Sequence, residues 1–187
     1  TLPGRQDLPL QPGAAFDVSW TVTNRGVADL PRSVWYDGIY VSADETWDAN
    51  DVFVGSVLRS APLPVDWESP FTAGFRLPAV NEGTYHILVR ADIRQNIIEA
   101  DERNNAAASS ARIDTSVPLF HIEDDPLDED GDQITHIDQA SGNLVTGTEV
   151  YYGVDVDAGI DLQVSLTSTD RAAATELFVK YGAVPSP

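Results

Sequence analysis

Apolar residues recur at every second position along the first half of this chain, a spacing that fits β-strands and little else. In Phe16-Asp17-Val18-Ser19-Trp20-Thr21-Val22-Thr23 the four apolar side chains fall on one face of an extended backbone and the polar ones on the other. A strand of this kind has one side in a core and one in water. Asn24-Arg25-Gly26 then supplies a turn. The same spacing predicts strands at 34–41, 52–58, 70–77 and 84–91, the last with Tyr85, Ile87 and Val89 on one face. A weaker strand of small residues at 106–113 suits a sheet edge. No stretch carries convincing helical periodicity; Ala172-Ala173-Ala174 is at most a short turn of helix. Turn residues separate the strands at the intervals of an antiparallel β-sandwich.

The character changes near residue 115. Residues 121–139 are rich in Asp and Glu and poor in apolar side chains, the composition of a solvated linker or loop. Alternation resumes at 148–156, where Val150, Tyr152, Val154 and Val156 share a face, and again at 161–167 and 176–181. Three strands are too few to close an independent sandwich. The expected architecture is all-β. An antiparallel sandwich covers 1–114, and an acidic linker plus a second, incomplete β-sandwich unit covers 115–187.

Charge narrows the partners. Thirty acidic residues against eleven basic ones leave a net charge of -19, and Lys180 is the single lysine. Such a surface repels phosphate backbones and anionic lipid, which argues against nucleic acid and membrane insertion, and it attracts divalent cations. The chain has no Cys, so disulfides, thiolate metal sites and cysteine catalysis are excluded. It has no Met and no leader-like n- and h-regions, the expectation for an internal piece or processed product. No apolar run reaches membrane-span length.

Catalysis is not expected. The chain lacks a Gly-x-Ser-x-Gly elbow, a His-Glu-x-x-His pair and a phosphate-binding glycine loop. His86, His121 and His136 are not at helical metal spacing, and His86, on the outer face of its strand, is expected to be exposed. Calcium is the cofactor to weigh, because hard cations take several oxygen ligands at short range. Asp44, Asp48 and Asp51, with Asn50, form one candidate loop, and Asp128, Asp130 and Asp132 form another. Against these stand two alternatives: turn hydrogen bonds in the first loop and a flexible acidic linker in the second. The second also departs from the EF-hand pattern, with its glycine one place early and Gln139 at the closing position. Glu99, Glu102, Asn104 and Asn105 read as a tight corner held by side-chain to backbone bonds. Trp20 and Trp35 belong to strand cores. Trp47 and Trp67 lie in loops, where contact with a glycan or a surface protein competes with half-buried packing. Lys180, a conceivable isopeptide donor, lies opposite Leu177, Val179 and Tyr181 and so faces solvent.

Several segments occur in a telling order: Val18-Ser19-Trp20-Thr21-Val22-Thr23-Asn24-Arg25-Gly26, Trp35-Tyr36-Asp37-Gly38-Ile39-Tyr40-Val41-Ser42-Ala43-Asp44, Asp51-Val52-Phe53-Val54-Gly55-Ser56, Gly83-Thr84-Tyr85-His86-Ile87-Leu88-Val89 and Ile98-Glu99-Ala100-Asp101-Glu102-Arg103-Asn104-Asn105. Across residues 12–113 they resemble the CARDB family, the cell-adhesion-related, immunoglobulin-like domain of bacterial surface proteins. That family usually has a strand ahead of Pro12-Gly13, and here only residues 1–11 remain to supply it. Tyr151-Tyr152-Gly153-Val154-Asp155-Val156-Asp157-Ala158-Gly159, Asp161-Leu162-Gln163-Val164-Ser165-Leu166 and Glu176-Leu177-Phe178-Val179-Lys180-Tyr181 look like the front half of a pre-peptidase C-terminal (PPC) domain. Together the resemblances imply a non-catalytic module, extracellular on a bacterial surface or secreted. Its expected work is structural or adhesive, in a large surface protein or filament. The alternative they imply is an accessory C-terminal segment of a secreted peptidase or other hydrolase. Apart from the resemblances, the acidic loops offer calcium as a stiffener, and the strands missing from the second unit have three candidate sources: a longer chain of which this is a piece, residues 1–11 packing back, or a neighbouring β domain that donates them.

Overall fold

A computed structural model describes residues 9–99, 101–122, 149–158, 162–170, 172, 175–182 and 185. The fold is all-β, with no helix among the described residues. Two compact units divide the chain, Thr1–Ser116 and Val117–Pro187.

The described residues of unit 1 form six strands: β1 Ala15–Thr23, β2 Leu30–Ser42, β3 Val52–Leu63, β4 Glu68–Arg76, β5 Gly83–Arg90 and β6 Ala106–Thr115. They form a two-stranded sheet, β1-β4, and a four-stranded sheet in the order β3-β2-β5-β6, with every strand pair antiparallel. The small-residue strand at 106–113 is β6, at the end of that order. Each run of alternating side chains delivers its apolar face to a common core: Phe16 and Val18 from β1, Ile39 and Val41 from β2, Ile87 from β5 and Ile113 from β6. Leu77 and Val80, just past β4, complete it. Residues of both sheets meet in this cluster, which makes the unit sandwich-like. Burying a side chain such as Ile39 completely contributes about 1.5–3 kcal/mol.

Two local devices keep the four-stranded sheet in register. Ile39 pairs with Gly55 but Tyr40 pairs with Phe53, so Val54 is an extra residue in β3. The bulge turns Val54 toward the core and sets Phe53 beside Tyr40, ring centroids 5.4 Å apart. At Gly38 a Cβ would lie 2.8 Å from Ile93 Cγ2 and 2.9 Å from the Tyr40 ring, so only glycine lets the 91–95 turn close over the sheet. That turn is fastened by the Ile93 N–H, which donates to Tyr36 O at 2.8 Å.

His86 departs from expectation. It does stand on the outer side of β5, opposite Arg112, yet it is only 3% exposed. The reason is a register shift in β6 between the partners of His86 and Leu88. The slack at residues 109–111 folds over the imidazole, and His86 Nδ1 lies 3.1 Å from Ser109 O. Alternation assigns a face, but it does not foresee a bulge that covers that face.

Unit 2 differs more. Its described strands are β7 Leu119–Ile122 and β8 Gly153–Val156, paired parallel. Of the strand expected at 148–156, the described residues form a ladder only at the last four, and β7, at the entry to the acidic segment, lies where the spacing predicts no strand. Residues 162–167 and 176–181, expected as strands, carry no ladder. Leu162, Val164, Leu166, Leu177 and Val179 are 43–68% exposed, and Tyr181 is fully exposed. Two-residue spacing creates an apolar face, but a strand exists only where a second backbone takes up its N–H and C=O groups. Tyr151 donates its hydroxyl hydrogen to the Glu149 carboxylate. Partial burial and that carboxylate push its pKa up to about 12.

Candidate functional site

The most elaborate polar arrangement among the described residues lies inside unit 1. Period two places Asp37 on the same inward face of β2 as Trp35, Ile39 and Val41, and the residue is fully buried. A lone carboxylate there would be costly to desolvate. Arg59 of β3, cross-strand from Trp35, meets it at 2.9 Å with Nη1 on Asp37 Oδ2. The indole N–H of Trp20 donates to the same oxygen at 2.8 Å, and the Trp35 indole donates to Oδ1 at 2.9 Å. Arg59 Nη2 continues to Ser69 Oγ at 2.6 Å and Ser69 O at 3.2 Å. The guanidinium also lies 4.6 Å from the Phe71 ring centroid, 5.6 Å from Trp35 and 5.9 Å from Trp20.

The cluster therefore draws on β1, β2, β3 and β4 and joins the two sheets. Among the described residues no buried side-chain nitrogen or oxygen lacks a hydrogen-bond partner. A site of this kind resists shearing of one sheet over the other. Its carboxylate and guanidinium are consumed by their neighbours, which leaves neither in the exposed, half-satisfied state that acid–base work requires.

The first calcium candidate has the geometry of a hydrogen-bonded turn. Asp44 Oδ1 accepts the Thr46 N–H at 2.7 Å, Asp48 Oδ1 accepts the Asn50 N–H at 2.7 Å, and Asp51 Oδ2 accepts the Asp48 N–H at 2.9 Å. These side chains serve their own loop's amides, as short polar residues do in turns. Among the described residues no group of three or more His, Cys, Asp or Glu side chains is arranged to hold a metal ion. Asp128, Asp130 and Asp132 lie outside the described residues.

Trp47 is the loop's anchor on the sheet. Its ring sits 6.1 Å from Tyr40, edge-on, and the Arg90 guanidinium stacks 4.0 Å from its centroid. One face of the indole is thereby occupied, and the residue is 36% exposed. Arg94 covers Tyr36 in the same way at 3.7 Å. Trp67, in the turn between β3 and β4, is 62% exposed. Its backbone is held through Asn24, whose side-chain amide donates to Leu63 O and Ala28 O at 2.8 and 3.0 Å and whose N–H donates to Trp67 O at 3.2 Å.

The corner after β5 is built on carboxylates. Asp92, buried and at φ 46°, accepts the Asn96 and Ile97 N–H groups at 2.9 and 2.7 Å. Glu99 and Glu102 share the Asn105 side-chain amide at 2.5 and 3.2 Å, while Glu102 also accepts the Glu99 N–H at 3.1 Å. Glu99 borders a small cleft of about 30 Å³ with Val22, Leu30, Leu63 and Ile97. Desolvation there raises its pKa, the Asn105 bond opposes this, and the Glu102 and Asp92 charges add to the rise. Although the residue as a whole is exposed, its carboxyl is partly shielded. A carboxyl whose pKa is raised by folding holds its proton more tightly in the native state. It therefore contributes stability below its unfolded pKa and loses that contribution as pH rises through the folded one. Glu99→Gln is expected to flatten this part of the stability–pH curve while leaving the melting temperature at neutral pH unchanged or slightly higher. Thermal melts from mildly acidic to neutral pH check it.

Sequence reasoning singled out neither Asp37 nor Arg59, the buried ion pair that links the two sheets of unit 1. No family model, curated protein or solved structure matches the chain.

Proposed function

We propose that this chain is a structural and adhesive β-sandwich module of a larger bacterial surface protein or filament, working outside the cell and without a catalytic centre of its own. The observation that carries the reading is the Asp37–Arg59 cluster. It ties two strands of each sheet of unit 1, β1 and β4 of one and β2 and β3 of the other, into a single satisfied network, and mechanical coherence is what such a network provides. The resemblance of unit 1 to CARDB domains and of unit 2 to the front of PPC domains supports the same placement. So does the charge of -19, which keeps a crowded, exposed protein soluble.

The half-exposed apolar positions of unit 2 favour completion by strands of a neighbouring β domain, because uncovered greasy faces and open ladders recruit other strands. Antibodies raised against this polypeptide are expected to label intact cells of the source organism or its secreted fraction. Labelling only after permeabilisation overturns the reading, as does turnover of a peptide, ester or glycoside substrate by the purified chain. Light scattering that shows a monomer at every concentration, with unit 2 melting cooperatively, removes strand completion.

A further inference from the structure

Every strand pair in unit 1 is antiparallel, but the first and last described segments of that unit meet in parallel. Leu10 pairs with Thr115: the Leu10 N–H donates to Asp114 O at 2.8 Å, and the Ser116 N–H donates to Leu10 O at 3.0 Å. Both ends of this bridge are anchored. Leu10 packs against the core. The chain then turns at Gly13, φ 84°, and crosses to the other sheet. There the Gly13 N–H donates to Leu77 O at 2.7 Å and the Leu77 N–H to Ala14 O at 2.8 Å. Thr115 is 3% exposed, and its hydroxyl reaches Asn81 O at 2.8 Å and Gly83 O at 3.1 Å.

Direction is what gives the bridge its meaning. In a parallel pair, the chain before one residue and the chain after its partner leave at opposite ends. Tension applied to those two flanks loads the bridging hydrogen bonds together, along the strand axis. In an antiparallel hairpin pulled from its open end, the rungs open one after another. We propose that the Leu10–Thr115 bridge is a shear clamp, and that unit 1 bears tension transmitted along its own backbone. This rests on the structural reading above and gives it a mechanism.

The chain has no cysteine, so introduced pairs define the pulling points cleanly. In single-molecule force spectroscopy on the full chain, handles at Pro9→Cys and Val117→Cys load the clamp in shear. Handles at Glu45→Cys and Val117→Cys pull from one end of the sandwich, because Ser42 aligns with His86 and Gly83 with Thr115, and they peel the sheet. The rupture force is expected to be about twofold or more higher in the first geometry, since forced unfolding follows the barrier crossed on that path. Adding Leu10→Pro, which deletes the N–H donor to Asp114, is expected to lower the first force and leave the second unchanged. Equal forces in the two geometries, or an equal loss in both with Leu10→Pro, overturns the clamp. Either result leaves surface labelling of intact cells unaffected, whereas labelling confined to permeabilised cells removes the reading beneath it.

Discussion

Arg59→Met is expected to lower the unfolding free energy of unit 1 by about 3–5 kcal/mol, the range for breaking one partner out of a buried pair. The substitution keeps most of the side-chain volume but removes the cation paired with Asp37, whose carboxylate is fully buried. Two indole N–H groups would remain to solvate that charge, and Ser69 would lose its donor. Domains of this size are stable by about 5–15 kcal/mol, so the loss is a large share of the total. All four tryptophans lie in unit 1, so their fluorescence in a denaturant titration follows its unfolding. The midpoint should fall while the slope stays constant. Asp37→Asn keeps an acceptor for Trp35 and strands the guanidinium instead, so it should also be costly. If the cluster works as one unit, the double variant will be less destabilised than the sum of the singles by about 0.5–3 kcal/mol. Strict additivity would mean that the two charges act independently and that the cluster does not bolt the sheets.

Much of unit 1 could be read in advance because its strands obey one local rule at a time. Phe16 and Val18, Ile39 and Val41, and Ile87 all reach the core by the parity that their neighbours dictate. The rule also contained a signal that went unused. Asp37 shares the parity of Trp35, Ile39 and Val41, and a carboxylate at a core position requires a buried donor set on a neighbouring strand. Arg59 and the two indoles are that set. Finding Arg59 requires the β2–β3 register, and the Val54 bulge in that register is not written in any spacing. His86 illustrates the same limit, since its cover comes from slack in β6. The loop carrying Asp44, Asp48 and Asp51 was ambiguous for another reason. Residues that ligate cations are also residues that cap turns, and only the observed N–H partners separate the two uses.

The contrast between the units gives the second large prediction. Ile39 has no exposed surface and sits in the centre of the core, flanked in space by residues from β1, β5 and β6. Ile39→Ala removes three carbons from a close-packed site and leaves a cavity that surrounding strands fill only in part, which should cost about 2–5 kcal/mol. Leu177 has the same kind of alternating neighbourhood in the sequence, yet it is 48% exposed. Leu177→Ala removes a side chain only about half covered, so in the isolated chain it should change stability by no more than about 1 kcal/mol. The two substitutions look equivalent on hydropathy and period. Their expected difference arises because burial depends on a partner surface, which covers Ile39 completely and Leu177 only about half. Paired thermal melts decide the matter. A Leu177→Ala loss comparable to that of Ile39→Ala would show that unit 2 already holds a packed core of its own. Strand completion by a neighbour would then have no apolar face left to cover.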